Sequence, residues 1–359
     1  MIPIFSDKAA REDPERMKST WRRAQRAARI AAAGARALLD TQHPILVHIV
    51  PMRRCNLACA YCNEYDAVSQ PVPLPLMLRR LDKLADLGTS MITVSGGEPL
   101  MHPELDAMIA QMRRRRMISS VITNGYYLSP ERIRRLNEAG LDFLQISIDN
   151  VEPDKVSLKS LRLLEPKLKW LAEYAQFGGN INSVVGAGVK NPEDALAVAR
   201  RARALGFTST VGILHDGRGQ LEPLGERELT VYRELKEFGS RGDARFNGVF
   251  QDNLALGRPN DWSCRAGARY LYVDEHGIVH YCSQMRGVPG IRLEDYSAAD
   301  IAREYVTRKD CAPYCTINCV QRVGLFDNWR APQTANARPI PRPVPRPVSA
   351  SSPPRGEVA

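Results

Sequence analysis

The sequence predicts an α/β protein in which six strands alternate with six helices, followed by a small cysteine-rich unit. Apolar runs such as residues 45–50 alternate with amphipathic segments through residues 44–238, a pattern typical of a parallel sheet with helices outside it. The chain has 359 residues and is 44% hydrophobic, enough to bury a sizeable core. Beyond about residue 250 the alternation stops, and five of the eight cysteines follow. Six units are too few for the eight of a closed barrel, so a partial barrel and a doubly wound sheet both fit.

The elements follow in order from the apolar pattern. Gly140 is expected to stop the third of the six helices, which Ser129 caps. The predicted strands cover residues 45–50, 91–97, 118–125, 142–149, 180–188 and 207–215. The predicted helices between and after them cover residues 74–88, 104–116, 129–140, 157–176, 191–206 and 226–238. Functional residues are expected at the carboxyl ends of these strands.

The chain divides into four predicted regions. Residues 1–43 form a basic helical extension, and its helix is expected to pack against the main body rather than to lie on a membrane. Residues 44–235 form the strand–helix region, and residues 236–330 form a linker helix with the cysteine-rich unit. Residues 331–359 are a proline-rich tail, expected to be disordered.

Composition narrows the class of protein. No apolar run approaches the roughly 18 residues that span a bilayer, and the N-terminus lacks the apolar segment of a secretory signal. We therefore expect a cytoplasmic protein, in which clustered cysteines are metal ligands rather than disulfides. The net charge of +10 is concentrated at the chain ends and does not by itself indicate nucleic-acid binding. A basic surface would suit docking of an acidic electron donor.

Three of the eight cysteines lie within eight residues. Cys55, Cys59 and Cys62 follow a C-x3-C-x2-C pattern directly after the first predicted strand. Thiolates are soft ligands suited to zinc or to iron–sulfur clusters. A structural zinc site is usually closed by four ligands, whereas only three are local here. A [4Fe–4S] cluster held by three thiolates would leave one iron open to another ligand, and chance produces this spacing at roughly one position in 10⁵.

This motif resembles that of the radical SAM superfamily, C-x3-C-x-aromatic-C, with Tyr61 at the aromatic position. The resemblance implies a partial (β/α)6 TIM-like barrel over residues 44–235. It implies that the three thiolates hold a [4Fe–4S] cluster and that the open iron binds S-adenosylmethionine (SAM). Reductive cleavage of SAM would then yield a 5′-deoxyadenosyl radical that abstracts hydrogen from a substrate.

Three further motifs match the same family. The second strand ends in GGEP, and the resemblance assigns contacts with the SAM amino group to Gly96, Gly97 and Glu98. The third strand ends in TNG, which places Asn124 near SAM by the same resemblance. The fourth strand carries ISID, whose Ser147 and Asp149 share one face and are expected near the SAM ribose.

A second group of cysteines follows the barrel region. Cys264 and Cys282 flank a predicted β-hairpin with Gly277 near its turn, and three more cysteines lie beyond it: Cys311, Cys315 and Cys319. A zinc ribbon would also combine a hairpin with a later cysteine cluster. The pattern resembles the SPASM auxiliary-cluster region or its shorter twitch form. With five cysteines rather than seven, we expect one auxiliary [4Fe–4S] cluster held by Cys264, Cys282 and two of the last three, with Cys319 preferred and Cys311 least favoured.

The motifs together predict a radical SAM enzyme with an unidentified substrate. The resemblance implies an electron donor of the flavodoxin or ferredoxin type. A peptide substrate and a small-molecule or lipid substrate both fit, with oxidation or C–C or C–S bond formation as the outcome. The alternatives are an iron–sulfur electron-transfer protein without SAM chemistry and a zinc-stabilised binding protein. An electron carrier would require neither the GGEP motif after the second strand nor a six-unit barrel, and a zinc protein would purify colourless with stoichiometric zinc.

Overall fold

The computed structural model of the chain describes residues 14–62, 64–186, 189–214, 223–238, 241–328 and 330. The proline-rich tail predicted over residues 331–359 lies outside the described residues, as do the first 13 residues. The α-helices are α1 Pro14–Leu39, α2 Leu74–Asp86, α3 Leu105–Arg114, α4 Pro130–Ala139, α5 Leu161–Tyr174, α6 Asp194–Ala204, α7 Glu226–Phe238, α8 Arg241–Ala255, α9 Ala298–Val306 and α10 Asn318–Gly324. The strands are β1 Leu46–Ile49, β2 Met91–Val94, β3 Ile118–Thr123, β4 Phe143–Ser147, β5 Gly178–Gly186, β6 Thr208–Leu214, β7 Tyr270–Val273, β8 Ile278–His280 and β9 Pro289–Arg292.

The predicted strand–helix alternation is confirmed. Strands β1 to β6 pair in parallel in chain order, and a helix follows each of them. In α4 the Ser129 Oγ accepts a hydrogen bond from the Arg132 N–H at 3.1 Å, and Gly140 ends the helix with φ of 87°. Among the described strands the sheet does not close, because β6 and β9 form its two edges. The architecture is therefore the open, partial barrel rather than a closed one.

The C-terminal hairpin extends the barrel sheet. Strand β7 pairs in parallel with β1, with Leu46 opposite Tyr270, and β8 and β9 continue in antiparallel order. The hairpin itself was predicted, but its attachment to the first strand was not. Because β7 is buried along its whole length, the sheet carries a continuous core from the barrel into the cysteine-rich region.

Helix α1 lies across the amino ends of the strands. Arg36 donates to the carbonyl of Gly88 just before β2, and Arg29 donates to the carbonyl of Met117 just before β3. At the C-terminal end of α1, the buried Arg269 donates to the carbonyl of Ala37 and pairs with Asp327 at 2.8 Å. This side chain connects α1, the start of β7 and the segment after α10. Within the described part of the chain, none of the helices is both long enough and apolar enough to cross a bilayer.

Candidate active site at the carboxyl ends of the strands

The first cysteine cluster lies in the loop that follows β1. The Cys55 N–H donates to the carbonyl of Asp66 at 3.0 Å, and the Cys62 N–H donates to the carbonyl of Cys59 at 3.0 Å. These bonds hold Cys55 against Asp66 and form a turn from Cys59 to Cys62. Cys59 is buried, whereas Cys55 and Cys62 are half-buried. All three thiols therefore belong to one loop at the carboxyl end of the barrel.

The surroundings of these thiols suit an iron–sulfur cluster. Burial raises the pKa of Cys55 to about 11 and also raises the pKa of Cys62, so burial opposes the thiolate form of these two side chains until a metal binds them. The Leu57 N–H points at the Cys55 Sγ at 3.4 Å, and the Asn124 amide points at it at 3.7 Å. N–H groups directed at sulfur are among the features that tune such clusters. No three His, Cys, Asp or Glu side chains in the described ranges converge as ligands of a single ion do. Thiolates around a cluster lie farther apart, because iron and sulfide lie between them.

The GGEP turn after β2 packs directly against the start of the cysteine loop. The Gly97 N–H donates to the carbonyl of Met52 at 3.1 Å, and the Glu98 N–H donates to the carbonyl of Arg54 at 3.0 Å. Gly96 has a φ of 113°, a backbone angle that residues other than glycine rarely adopt. A Cβ on Gly97 would overlap the carbonyl of Arg54. The two glycines therefore let the turn approach the residues just before Cys55.

The carboxylate of Glu98 holds the end of β3. The side chain is 1% exposed. Its Oε1 accepts from the Leu100 N–H at 2.9 Å and from the Thr123 hydroxyl at 2.6 Å, and its Oε2 accepts from the Asn124 N–H at 2.8 Å. Burial raises the pKa of Glu98, although the three hydrogen bonds act in the opposite direction. Glu98 thus joins the GGEP and TNG motifs into one unit.

Tyr61 and Asp149, two predicted site residues, contact each other directly, and both contact the half-buried Lys159. The Tyr61 hydroxyl donates to the Asp149 carboxylate at 2.5 Å, and Lys159 contacts both, with its Nζ 3.1 Å from the Asp149 Oδ2. The Lys159 Nζ also lies 5.0 Å from the centre of the Tyr61 ring. Burial acts to lower the pKa of Lys159, but the neighbouring Asp149, Tyr61 and Cys59 raise it above its ordinary value. Lys159 is therefore a protonated cation beside the cysteine loop.

A cavity of about 120 Å³ lies beside Tyr61 and Asp149. Its lining residues include Tyr61 and Asp149 together with Val184 and Leu214 from β5 and β6. The Asp149 Oδ1 is buried and has no hydrogen-bond partner in the described structure. The predicted partner residue Ser147 lies at the end of β4 and is half-buried. A ligand with hydroxyl donors and an apolar ring would satisfy both kinds of surface.

Four of the five later cysteines form a second group. Cys264 precedes β7, Cys282 follows β8, and both are buried. Burial raises the pKa of Cys315, and the charges of Cys264, Cys282 and Cys311 raise it further, so these four thiols lie within electrostatic range of one another. The fifth, Cys319, accepts a hydrogen bond from the Tyr270 hydroxyl instead, and burial raises its pKa to about 11. This grouping includes Cys311, which the sequence favoured least, and omits Cys319, which it favoured most.

A lysine also accompanies the second group, and this one is buried. Lys309 is 2% exposed and donates to the carbonyl of Glu304 at 2.5 Å. Burial lowers its pKa to about 8, although the nearby Cys264 and Glu304 act to raise it. A cation at this position favours the thiolate form of Cys264, which is the form that binds metal.

Sequence reasoning missed three residues that contact the predicted site. They are Lys159, Ser157, whose Oγ lies 3.6 Å from the Cys59 Sγ, and Asn56, whose Oδ1 accepts from the Asn124 amide at 2.8 Å. Asn56 lies inside the cysteine motif and was available from position alone. Ser157 and Lys159 lie in the loop between β4 and α5, where no spacing signal marks them.

Comparisons with known proteins identify the barrel. Residues 49–221 match the Radical SAM superfamily. The PqqA peptide cyclase of Granulibacter bethesdensis is 29% identical over 164 residues, which are 44% of this chain and 43% of that protein. The GTP 3′,8-cyclase of Synechococcus is 32% identical over 176 residues, which are 43% of this chain and 50% of that protein. The chain thus spans about half the length of these relatives.

The fold comparison agrees. The structure of Streptococcus suis SuiB bound to S-adenosylmethionine matches with a TM-score of 0.56 at 16% identity, over 75% of this chain and 69% of SuiB. At this identity the match shows the shared fold. The sequence match to the radical SAM superfamily, whose enzymes use a [4Fe–4S] cluster and SAM, thus covers residues 49–221, and the fold is consistent with it.

Proposed function

We propose that the chain is a radical SAM enzyme whose [4Fe–4S] cluster is held by Cys55, Cys59 and Cys62. The observation that carries this proposal is the packing of the GGEP turn against the cysteine loop, through the bonds from Gly97 and Glu98 to the residues just before Cys55. When bound, the cluster and SAM supply a 5′-deoxyadenosyl radical that abstracts hydrogen from an unactivated C–H bond. The protein's own task is to orient SAM and to exclude water.

The residues of this chain divide that task. The backbone of Gly96 and Gly97 offers polar groups to the SAM amino group, while Glu98 holds the turn in place. The Asp149 carboxylate, which lines the cavity and has one oxygen without a hydrogen-bond partner, accepts hydrogen bonds from the ribose hydroxyls, and Ser147 lies at the same strand end. Lys159 fixes the orientations of Asp149 and Tyr61. Asn124 contacts the cysteine loop from β3.

We further propose one auxiliary [4Fe–4S] cluster held by Cys264, Cys282, Cys311 and Cys315. Their electrostatic grouping and the buried Lys309 support this set, and Cys319 would be left on Tyr270. A flavodoxin- or ferredoxin-type protein would donate the electron, in the cytoplasm. The substrate class we favour is a peptide, because several curated relatives are named as PqqA peptide cyclases.

The activity is tested by its first product. The chain is loaded with iron and sulfide without oxygen, mixed with SAM and dithionite, and assayed for 5′-deoxyadenosine by mass spectrometry. Wild type should form it, and the triple variant Cys55→Ala, Cys59→Ala and Cys62→Ala should not. Cys319→Ala is the matched single-thiol control and should keep both the activity and the full iron content. Equal product from the triple variant would refute the site.

The substrate class is tested by isotope transfer. A deuterated peptide encoded next to the gene and deuterated GTP are offered separately, since a second relative is a GTP 3′,8-cyclase. Deuterium in 5′-deoxyadenosine from the peptide alone would support the peptide proposal. Deuterium from GTP alone would contradict it while leaving the radical chemistry intact.

A further inference from the structure

Helix α1 turns its arginines towards the protein. Arg26 donates to the carbonyl of Asp142 at 3.1 Å, and Arg29 forms a bidentate contact with the Asp142 carboxylate at 2.5 and 2.9 Å. One turn earlier, Arg22 donates to the carbonyl of Asn137 at 3.3 Å. Most surface helices bury apolar residues and expose charged ones. Here the charged stripe makes the contact with the barrel, so the opposite stripe faces outward.

The outward stripe of α1 is apolar. Trp21 is 65% exposed, Leu38 is 48% exposed and Leu39 is 85% exposed. All six exposed alanines of the helix lie between them on the same side, at helical spacing. From residue 21 to residue 39 the centre of this stripe carries no charged side chain. Large apolar side chains grouped in this way mark a surface that binds a partner or a membrane.

Positive charge borders the stripe. Arg23 and Arg36 are exposed on its two sides. The run Arg113–Arg116, at the end of α3, is exposed along its whole length. It lies against α1, because the carbonyl of the next residue, Met117, accepts a hydrogen bond from Arg29 at 3.4 Å. The amino-end face of the barrel therefore combines an apolar helix stripe with an arginine quartet.

We propose that this face, formed by the outward stripe of α1 and the arginine quartet, docks on an anionic lipid surface. An interfacial helix places tryptophan and leucine at the headgroup boundary, with arginines among the anionic headgroups. A second copy of the chain is disfavoured by charge. An antiparallel pairing that sets Trp21 against Leu38 of the second copy would also set Arg23 against Arg36 of that copy. A nucleic acid would engage the arginines but leave the apolar stripe uncovered.

Docking in this way fixes the orientation of the enzyme. Met117 and Asp142, which contact α1, directly precede β3 and β4. The cysteine loop follows β1, at the opposite, carboxyl end of the strands. The candidate active site would thus face the aqueous phase while the amino-end face rests on the lipid.

The test is cosedimentation with vesicles. The full chain, loaded with its clusters, is mixed with phosphatidylcholine vesicles or with vesicles that contain about one-third phosphatidylglycerol. Binding is expected only to the anionic vesicles at about 0.1 M salt and should weaken at about 1 M. The variant Trp21→Glu with Leu39→Glu should lose binding. The variant Arg113→Glu with Arg116→Glu should bind at least about 25-fold more weakly, because each arginine lost near an anionic surface removes about one factor of five and each added carboxylate is repelled.

Two controls place the same kinds of change elsewhere on the surface. Val249→Glu replaces a side chain that is 77% exposed on α8, and Arg233→Glu with Arg258→Glu makes the same charge change on other exposed positions. Both should bind like wild type, and circular dichroism should show all variants folded. Equal loss of binding in the controls would overturn the proposal, as would wild-type binding by Trp21→Glu with Leu39→Glu. If wild type is a dimer in the absence of vesicles and Trp21→Glu with Leu39→Glu is a monomer, the stripe would instead bind a second copy of the chain.

Discussion

Replacing Glu98 by glutamine tests how the GGEP turn is held. The two carboxylate oxygens accept three hydrogen bonds, from Leu100, Thr123 and Asn124. Glutamine retains only one acceptor oxygen. If the glutamine oxygen takes the place of Oε1, the bonds from Leu100 and Thr123 are kept. The amide NH₂ group, which is a donor, then faces the Asn124 N–H. The loss of one bond to a charged acceptor, in a side chain that is 1% exposed, should destabilise the protein by about 2 kcal/mol.

The assay is anaerobic urea unfolding of the apo protein, followed by fluorescence. Glu104→Gln is the matched control, because Glu104 is exposed at the start of α3 and should change the free energy of unfolding by less than about 0.5 kcal/mol. A double-mutant cycle with Thr123→Val should show non-additive coupling, since the two side chains share a hydrogen bond. Equal stability of Glu98→Gln and Glu104→Gln would refute the buried-acceptor argument.

Lys159→Met should destabilise the protein by about 3 kcal/mol in urea unfolding, because it leaves the buried Asp149 carboxylate without its cation. The control Lys155→Met, on the exposed part of the same loop, should change the free energy of unfolding little. Arg269→Met should destabilise the protein by about 3–5 kcal/mol in the same assay, because both members of the Arg269–Asp327 pair are fully buried. Adding Asp327→Leu should recover part of this loss. No recovery would contradict the argument that the unpaired, buried Asp327 carboxylate causes the loss. Burial, with the nearby Arg269, lowers the pKa of His43 to about 4. As the pH drops, the unfolded chain therefore binds a proton at His43 before the folded chain does. The free energy of unfolding should fall by up to about 3 kcal/mol between about pH 6.5 and about pH 4. His43→Gln should reduce this fall when unfolding is measured against pH.

The barrel was readable from sequence because its signals are local. Each buried strand is a short apolar run, each helix repeats with its own period, and Ser129 and Gly140 mark the ends of α4 through contacts within a few residues. The GGEP and TNG motifs were also found by position, and the structure joins them through Glu98.

Contacts between distant segments were not readable. The pairing of Leu46 with Tyr270 joins residues more than 200 positions apart, and nothing in the sequence of either strand indicates which strand it pairs with. Lys159 reaches Tyr61 from a loop without a motif. The sequence predicted that α1 packs against the main body, but it did not indicate that arginines make the contact, through Asp142 and carbonyls at the amino ends of the strands.

The central claim is that a cluster held by only three cysteines binds SAM. The most direct measurement is the electron paramagnetic resonance spectrum of the dithionite-reduced cluster in a Cys264→Ala, Cys282→Ala background, recorded with and without SAM. This background removes two proposed ligands of the auxiliary cluster and leaves the loop of Cys55, Cys59 and Cys62 intact. We predict a clear change of the g values when SAM is added, because SAM would coordinate the open iron. A cluster signal that SAM does not alter would contradict the account.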